Sequence, residues 1–523
     1  LLLTLRIILK KLFLGLYKMA APLQTVNLLA PGFRGLNTED SVLSLDPSFA
    51  TYADNCVIDK YGRISARKGY SVITTSASPL GSSFIQVVKQ FRDSGGNTVI
   101  FSAGNNKIFR GTTTLTDSTP ASYTITANAW KIVNFNDHCY FFQRGYEPLV
   151  YSNTLGAVTK MSSHPSYSAT VPYANEVLAA YGRLWVADTT SNKTTVYWSD
   201  LLNGQKWSGG TSGSIDLTKV WPDGYDEIVA LAAHNNLLII FGKHSIITYQ
   251  GAEAPATMTL DDTVAGVGCV SRDSVQYTGN DVLFMSYSGL KALGRTIQEK
   301  SLPLNDLSRN IKTDIIAAIK AETGQITSVY SPENSFYNVF FPTSNTVYCF
   351  DIKGTLEDGS YRVTRWPTNK FKCFERLVDG TLYVGTSAGI ASYSGYSDGG
   401  ATYVMRYYSP NLTFGEPSKL KFLKKIKPTI IGGNSVVVTF KWGYGFNSSF
   451  KSFVVNLLNF GDFSPYGIAQ YGIDEYSGGI EYVVPNINTS GSGTNIVVGL
   501  EATITDQVSL QEFNIYTLLG RNY

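Results

Sequence analysis

The side chains best suited to recognition chemistry crowd one stretch, "ADNCVIDKYGRISARKGY", residues 53–70. It reads as strand, turn, strand: Asn55 to Ile58, a turn through Asp59, Lys60, Tyr61 and Gly62, then Arg63 onward. Gly62 falls where such a turn needs positive φ, and Asp59 can bond its own turn backbone. Arg63, Arg67 and Lys68 make the returning strand basic. A guanidinium there can grip a carboxylate with two parallel hydrogen bonds, which is binding chemistry rather than catalysis.

A second basic cluster is "KLKFLKKIK", with Lys419, Lys421, Lys424, Lys425 and Lys427 on and around one strand. Lysines on a strand protect an edge from pairing with another chain. They also suit contact with an acidic partner surface. Both readings stand at this point.

Catalytic constellations do not emerge. The four histidines, His138, His164, His234 and His244, follow neither HExxH nor paired metal-ligand spacing, and the chain has no GxSxG and no Walker-type phosphate loop. Cys56, Cys139, Cys269, Cys349 and Cys373 lie far apart in apolar surroundings, the pattern of reduced, buried thiols. "SDLLNGQKW" (199–207) occurs once and reads as a turn with a packed Trp207. The expectation is a non-enzyme without metal or cofactor.

The elements that must position these residues repeat. Apolar strands begin near Val99, Cys139, Leu184, Leu237, Val282, Tyr337 and Leu382, each flanked by polar turns and further short strands. The spacing, roughly 40–55 residues, is that of propeller blades, each of which buries its two faces only against its neighbours. The fold class expected is therefore all-β: a six- or seven-bladed β-propeller over residues 81–400, preceded by an arm and hairpin (19–80) and followed by a β-sandwich-like domain (401–523). One helix interrupts the pattern at 303–322, with Ile311, Ile315, Ile316 and Ile319 in helical period and Asp306 or Ser308 as caps.

Residues 1–18, "LLLTLRIILKKLFLGLYK", precede the first methionine, Met19. Arg6, Lys10 and Lys11 break the apolar run, so neither a signal peptide nor a membrane span fits. The segment reads as a non-native upstream extension, with an amphipathic surface anchor as the rival reading. Without it the chain has 39 basic and 40 acidic residues, a balance of −1. Such neutrality argues against a general nucleic-acid binder.

The stretch "PGFRGLNTEDS…LDPSFATYADNCVIDKYGRISARKGY" resembles the N-terminal segment of the tail nozzle (tail tubular protein B) and packaged-DNA stabilisation proteins of short-tailed bacteriophages. The matching residues are Asn55, Asp59, Gly62, Ile64, Arg67 and Gly69. The ending "SLQEFNIYTLLGR" (509–521) is similar too. The resemblance implies a structural virion protein, assembled in the host cytoplasm as a homohexamer below portal and adaptor, that closes and conducts the DNA ejection channel. Its implied partners are the tail adaptor protein, tail fibres or the host surface, and passing double-stranded DNA without sequence recognition; no membrane is expected. Under this reading Asn55, Asp59, Arg63, Arg67 and Lys68 form a subunit or adaptor interface. Scattered bases such as Arg110, Lys131 and Arg144 could instead converge on the axis of an assembled ring. The alternative function is a carbohydrate-binding surface propeller.

Overall fold

A computed structural model describes residues 23–168, 171–299, 306–432, 436–445, 449–457 and 482–522. The expected upstream extension, 1–18, lies outside them.

Each apolar strand foreseen in the repeat is the second strand of an antiparallel blade. Blade one is Val87–Arg92, Thr98–Gly104, Lys107–Arg110 and Thr116–Asp117; blade two is Lys131–Phe135, His138–Phe142, Leu149–Tyr151 and Thr159–Lys160. Blade three is Ala174–Ala180, Arg183–Thr189, Thr195–Trp198 and Gly213–Asp216; blade four is Ile228–His234, Leu237–Gly242, Ser245–Gln250 and Thr259–Ala265. Blade five is reduced to three strands, Gln276–Tyr277, Val282–Ser286 and Gly289–Ala292. Blade six is Thr327–Ser331, Phe336–Phe341, Thr346–Thr355 and Tyr361–Trp366. Blade seven takes Phe371–Arg376, Leu382–Thr386 and Gly389–Ser392, and its fourth strand is Ser71–Val72 from before the repeat. Among the described residues the chain thus folds as a β-propeller of six four-stranded blades and one with three strands.

Turn chemistry sets the hairpins. Asn136–Asp137 and Asn235–Asn236 both carry positive φ at two successive positions, the geometry whose twist matches flanking strands. Asn and Asp tolerate that region better than most side chains. The second strands are then buried on both faces, as in Phe336–Phe341, where all six residues are buried. Apolar clusters fill the gaps between neighbouring blades. Phe101 meets Phe141 between blades one and two at 5.2 Å, and Phe241 meets Phe284 between four and five at 4.9 Å.

The C-terminal strands form a β-sandwich, but they do not form it alone. One sheet is built on Lys419–Gly432 and Val508–Asn522, joined by Leu23–Leu29 and by the hairpin Cys56–Ile58/Ile64–Ala66. The other runs Tyr52–Asp54, Tyr403–Tyr408, Ile496–Ile504, Val436–Tyr444 and Lys451–Leu457. Val438, Phe440, Ile426, Phe513 and Ile515 lie in the shared core. Asp54 also pairs with Arg365 of blade six, so propeller and sandwich share a sheet. The N-terminal arm is therefore woven into the C-terminal sandwich rather than standing apart from it.

The inserted helix begins later than the sequence suggests, at Lys312–Ala321, and buries Ile315 and Ile319. Of the expected span, only 303–305 lies outside the described residues. Neither expected cap serves the helix. Asp306 instead pairs with Lys291 at 2.9 Å, and Ser308 Oγ accepts from the Leu290 N–H at 3.0 Å. A further short helix, Leu293–Glu299, follows blade five.

Candidate functional site

The hairpin residues resolve into a single joint. Asp59 closes the turn: its Oδ1 accepts from the N–H groups of Tyr61 and Arg63 at 2.8 and 3.0 Å. Its Oδ2 accepts from Ser65 Oγ at 3.1 Å. Gly62 has φ +74, and a Cβ there would come within 2.5 Å of Pro31. Asn55 holds φ 54, donates through Nδ2 to the Val404 carbonyl at 2.8 Å, and accepts from Arg67 Nε at 3.0 Å. Ile64 is fully buried in the sandwich core. At Gly69 any Cβ would meet the Ser397 carbonyl oxygen at 2.0 Å.

Arg67 is 1% exposed. Its Nη1 and Nη2 donate to Asp398 Oδ1 and Oδ2 at 2.9 and 2.7 Å, and its guanidinium lies 4.1 Å over the Tyr403 ring. The bidentate carboxylate contact exists, but inside the chain. This corrects the interface expectation for Arg67 and for Asn55, which is also buried. Arg63 is half-buried, donating to Gln511 Oε1 at 2.5 Å and stacking 4.3 Å over Tyr61. Asp59 is likewise half-buried, and Lys68 is exposed.

The lysine-rich strand is not a sheet edge, which corrects the edge-protection reading: Val508–Asn522 flanks one side, and Tyr482–Val483, Ile487–Asn488 and Ser492–Gly493 flank the other. Lys421 is fully buried, donating to the Thr494 carbonyl at 2.6 Å and to the Glu416 carbonyl. Lys419 pairs with Glu416 at 2.9 Å, and Lys425 lies 5.7 Å over Tyr516. Lys424 is exposed and Lys427 half-buried. Trp207 is half-buried as expected, its Nε1 donating to the Gly204 carbonyl at 2.9 Å.

A second constellation lies on the propeller axis. The first strands of several blades, together with the turn before blade five, each contribute one or two charged groups. Lys89 pairs with Glu375 at 2.9 Å. Lys131 reaches Asp273 at 3.1 Å and Glu176 at 3.5 Å, and Arg272 Nε reaches Asp273 at 3.3 Å. The Arg272 fork also donates to the Ala129 carbonyl at 2.7 Å and to Asn175 Oδ1 at 2.8 Å. These residues make a belt of charge inside the ring. Burial pushes the Glu176 carboxyl up to about 7, against the pull of Lys131 and Arg272. Burial works on Asp273 in the same direction, but there Arg272 and Lys131 prevail and hold it below the usual carboxylate range.

A cavity of about 640 Å³ opens onto this belt. Lys131 therefore faces the axis of its own propeller. Arg144 pairs with Asp188, and Arg110 lies 5.3 Å over Tyr151 and donates to the Gly156 carbonyl at 3.2 Å. Within the chain these three bases do not converge. Among the described residues no group of His, Cys, Asp and Glu could hold a metal ion, and no helix is long and apolar enough to cross a membrane.

No protein-family model matches the chain, and no curated protein matches it in sequence. Among solved structures it is similar to the extracellular domain of BT4673 from B. thetaiotaomicron, at 12% identity and a TM-score of 0.40. That match covers 63% of this chain and 40% of the other, so the chain spans about two fifths of that protein's length. It is also similar to the Neurospora crassa Pan2 WD40 domain, at 9% identity and a TM-score of 0.35 over 63% of this chain and 94% of that one. The WD40 propeller of Doa1 matches at 10% identity and a TM-score of 0.28, over 50% of this chain and 90% of that one.

The axial belt escapes motif reading because its members are spread from residue 89 to 375. A signal was nonetheless present. "VVKQF", "KIVNF" and "ANEVLAA" each carry one charge within a short, otherwise largely apolar first strand, and "FKCFER" carries three. A lone charge in such a strand calls for a partner, because an unpaired buried charge is strongly unfavourable.

Proposed function

We propose that the chain is a non-catalytic structural subunit of a short-tailed phage, the tail nozzle that closes and conducts the DNA channel below portal and adaptor. The observation that carries this reading is the joint at 53–70. The residues behind the resemblance, Asn55, Asp59, Gly62, Ile64, Arg67 and Gly69, each hold a distinct place where propeller meets sandwich. That each motif residue has a structural task at this joint supports the resemblance as the basis of the reading.

The charge belt bears on where DNA would travel. It occupies the axis of the single propeller, so a duplex would pass between copies arranged in a ring. A near-neutral chain suits such a conduit, since a lysine-lined channel would hold phosphates and slow transit. Negative-stain microscopy of the purified protein tests the reading, and a six-fold ring is the expected result. Binding of double-stranded DNA to that ring should be weak and vanish by physiological salt. A protein that stays monomeric, fails to cap the adaptor and retains glycans on an array would favour a surface-binding propeller instead.

A further inference from the structure

At about 640 Å³ the axial cavity falls within the 300–1,000 Å³ range typical of small-molecule sites. It is framed by blades one, two, five, six and seven, so its walls are rigid sheet ends rather than loops alone.

The chemistry of the lining is uneven. Four cations, Lys89, Lys131, Arg272 and Lys372, face it with Asp273 and Glu375, and the first three are already paired within the belt, with Glu375, Asp273 and Glu176. Lys372 stands apart from the belt, its Nζ donating to Asn345 Oδ1 at 2.5 Å. Between the charges the wall is made of amides and hydroxyls, among them Gln86, Asn128, Gln276 and Gln325.

We propose that this cavity binds a small organic anion: a carboxylate on a hydroxylated body, the chemistry of a sugar acid. Lys372, the lining cation without a carboxylate partner, receives the carboxylate, and the amide and hydroxyl wall receives the hydroxyls. A neutral sugar forgoes the first interaction, and a bare carboxylate such as acetate forgoes the second. The site is independent of the proposed nozzle role, since it lies within one propeller and needs no second copy.

The test is calorimetric titration of the full chain with sodium glucuronate, glucose and acetate in turn. Glucuronate should saturate one site and bind at least about tenfold more tightly than either comparison ligand. Gln86 is exposed, so Gln86→Trp can narrow the entrance without disturbing the core, and an unchanged melting temperature checks this. Gln86→Trp should abolish glucuronate binding, and Lys372→Ala should weaken it about three- to tenfold. No saturable glucuronate binding, equal binding of glucose, or affinity unchanged in both variants overturns the proposal. A short oligouronide that competes with glucuronate identifies the end of an acidic polysaccharide as the source; failure to compete identifies the free acid.

Discussion

Arg67 and Asp398 meet in a fully formed bidentate pair, 2.9 and 2.7 Å, with the arginine 1% and the aspartate 9% exposed. The pair ties the hairpin to the segment that follows blade seven. Replacing Arg67 with Met leaves the Asp398 carboxylate buried without its partner. We expect a loss of about 3–5 kcal/mol, measured as a fall in the urea midpoint at constant slope. A variant as stable as the parent would show that Asp398 reaches solvent or another donor.

Lys421 and Lys424 share a strand but not an environment. Lys421 is fully buried against two carbonyls, and Lys424 is exposed. Lys424→Glu should change stability within about 0.5 kcal/mol. Lys421→Glu places a carboxylate against carbonyl oxygens and should lose about 3 kcal/mol or more. Parallel thermal melts of the two variants separate them; similar losses would refute the distinction.

Glu176 should make stability depend on pH in a defined window. Below about 4.5 the carboxyl is protonated in both folded and unfolded chains, and its burial carries no penalty. Between 4.5 and about 7 the unfolded chain releases the proton while the folded chain keeps it, so stability falls as pH rises. Above that range the folded carboxyl ionises too and the loss is complete, on the order of 3 kcal/mol at most. Glu176→Gln should flatten this part of the profile. The variant should gain relative to the parent at about pH 8 but not at about pH 4. Differences between the two curves also cancel the opposite contribution of His164, which burial, with His138 nearby, holds below its ordinary value.

All five thiols are buried and unpaired by disulfides. Burial raises each of them, Cys269 and Cys373 to about 12, so little thiolate forms at neutral pH. Ellman's reagent should react with none in the native protein and with all five in urea. Rapid labelling of a native thiol would reveal local opening of the blade that holds it.

The seven blade cores were legible because a strand buried on both faces reads as a short apolar run between polar turns. The hairpin was legible for the same local reason, through Asp59 and Gly62. Its destination was not. Arg67 finds its carboxylate 331 positions away, in a Gly- and Ser-rich turn that reads as an ordinary loop. The lysine strand looked like an edge because one of its two sides is covered only by strands two residues long. The axial belt is the extreme case, since only closure of the ring brings its members together.

The pairing of Leu23–Leu29 with Glu512–Leu518 has a consequence for how the chain is made. At ribosomal rates of about 5–20 residues per second, the first strand waits roughly 25 to 100 seconds for its partner to be synthesised. Ser71–Val72 waits likewise for Gly389–Ser392 before the ring can shut. Middle blades can stack as they emerge, but each N-terminal strand stays exposed until its distant partner emerges. The ring can close once Gly389–Ser392 emerges, whereas the sandwich waits for Val508–Asn522, and until then the nascent chain offers unpaired strand edges on which a chaperone or a second nascent copy can act.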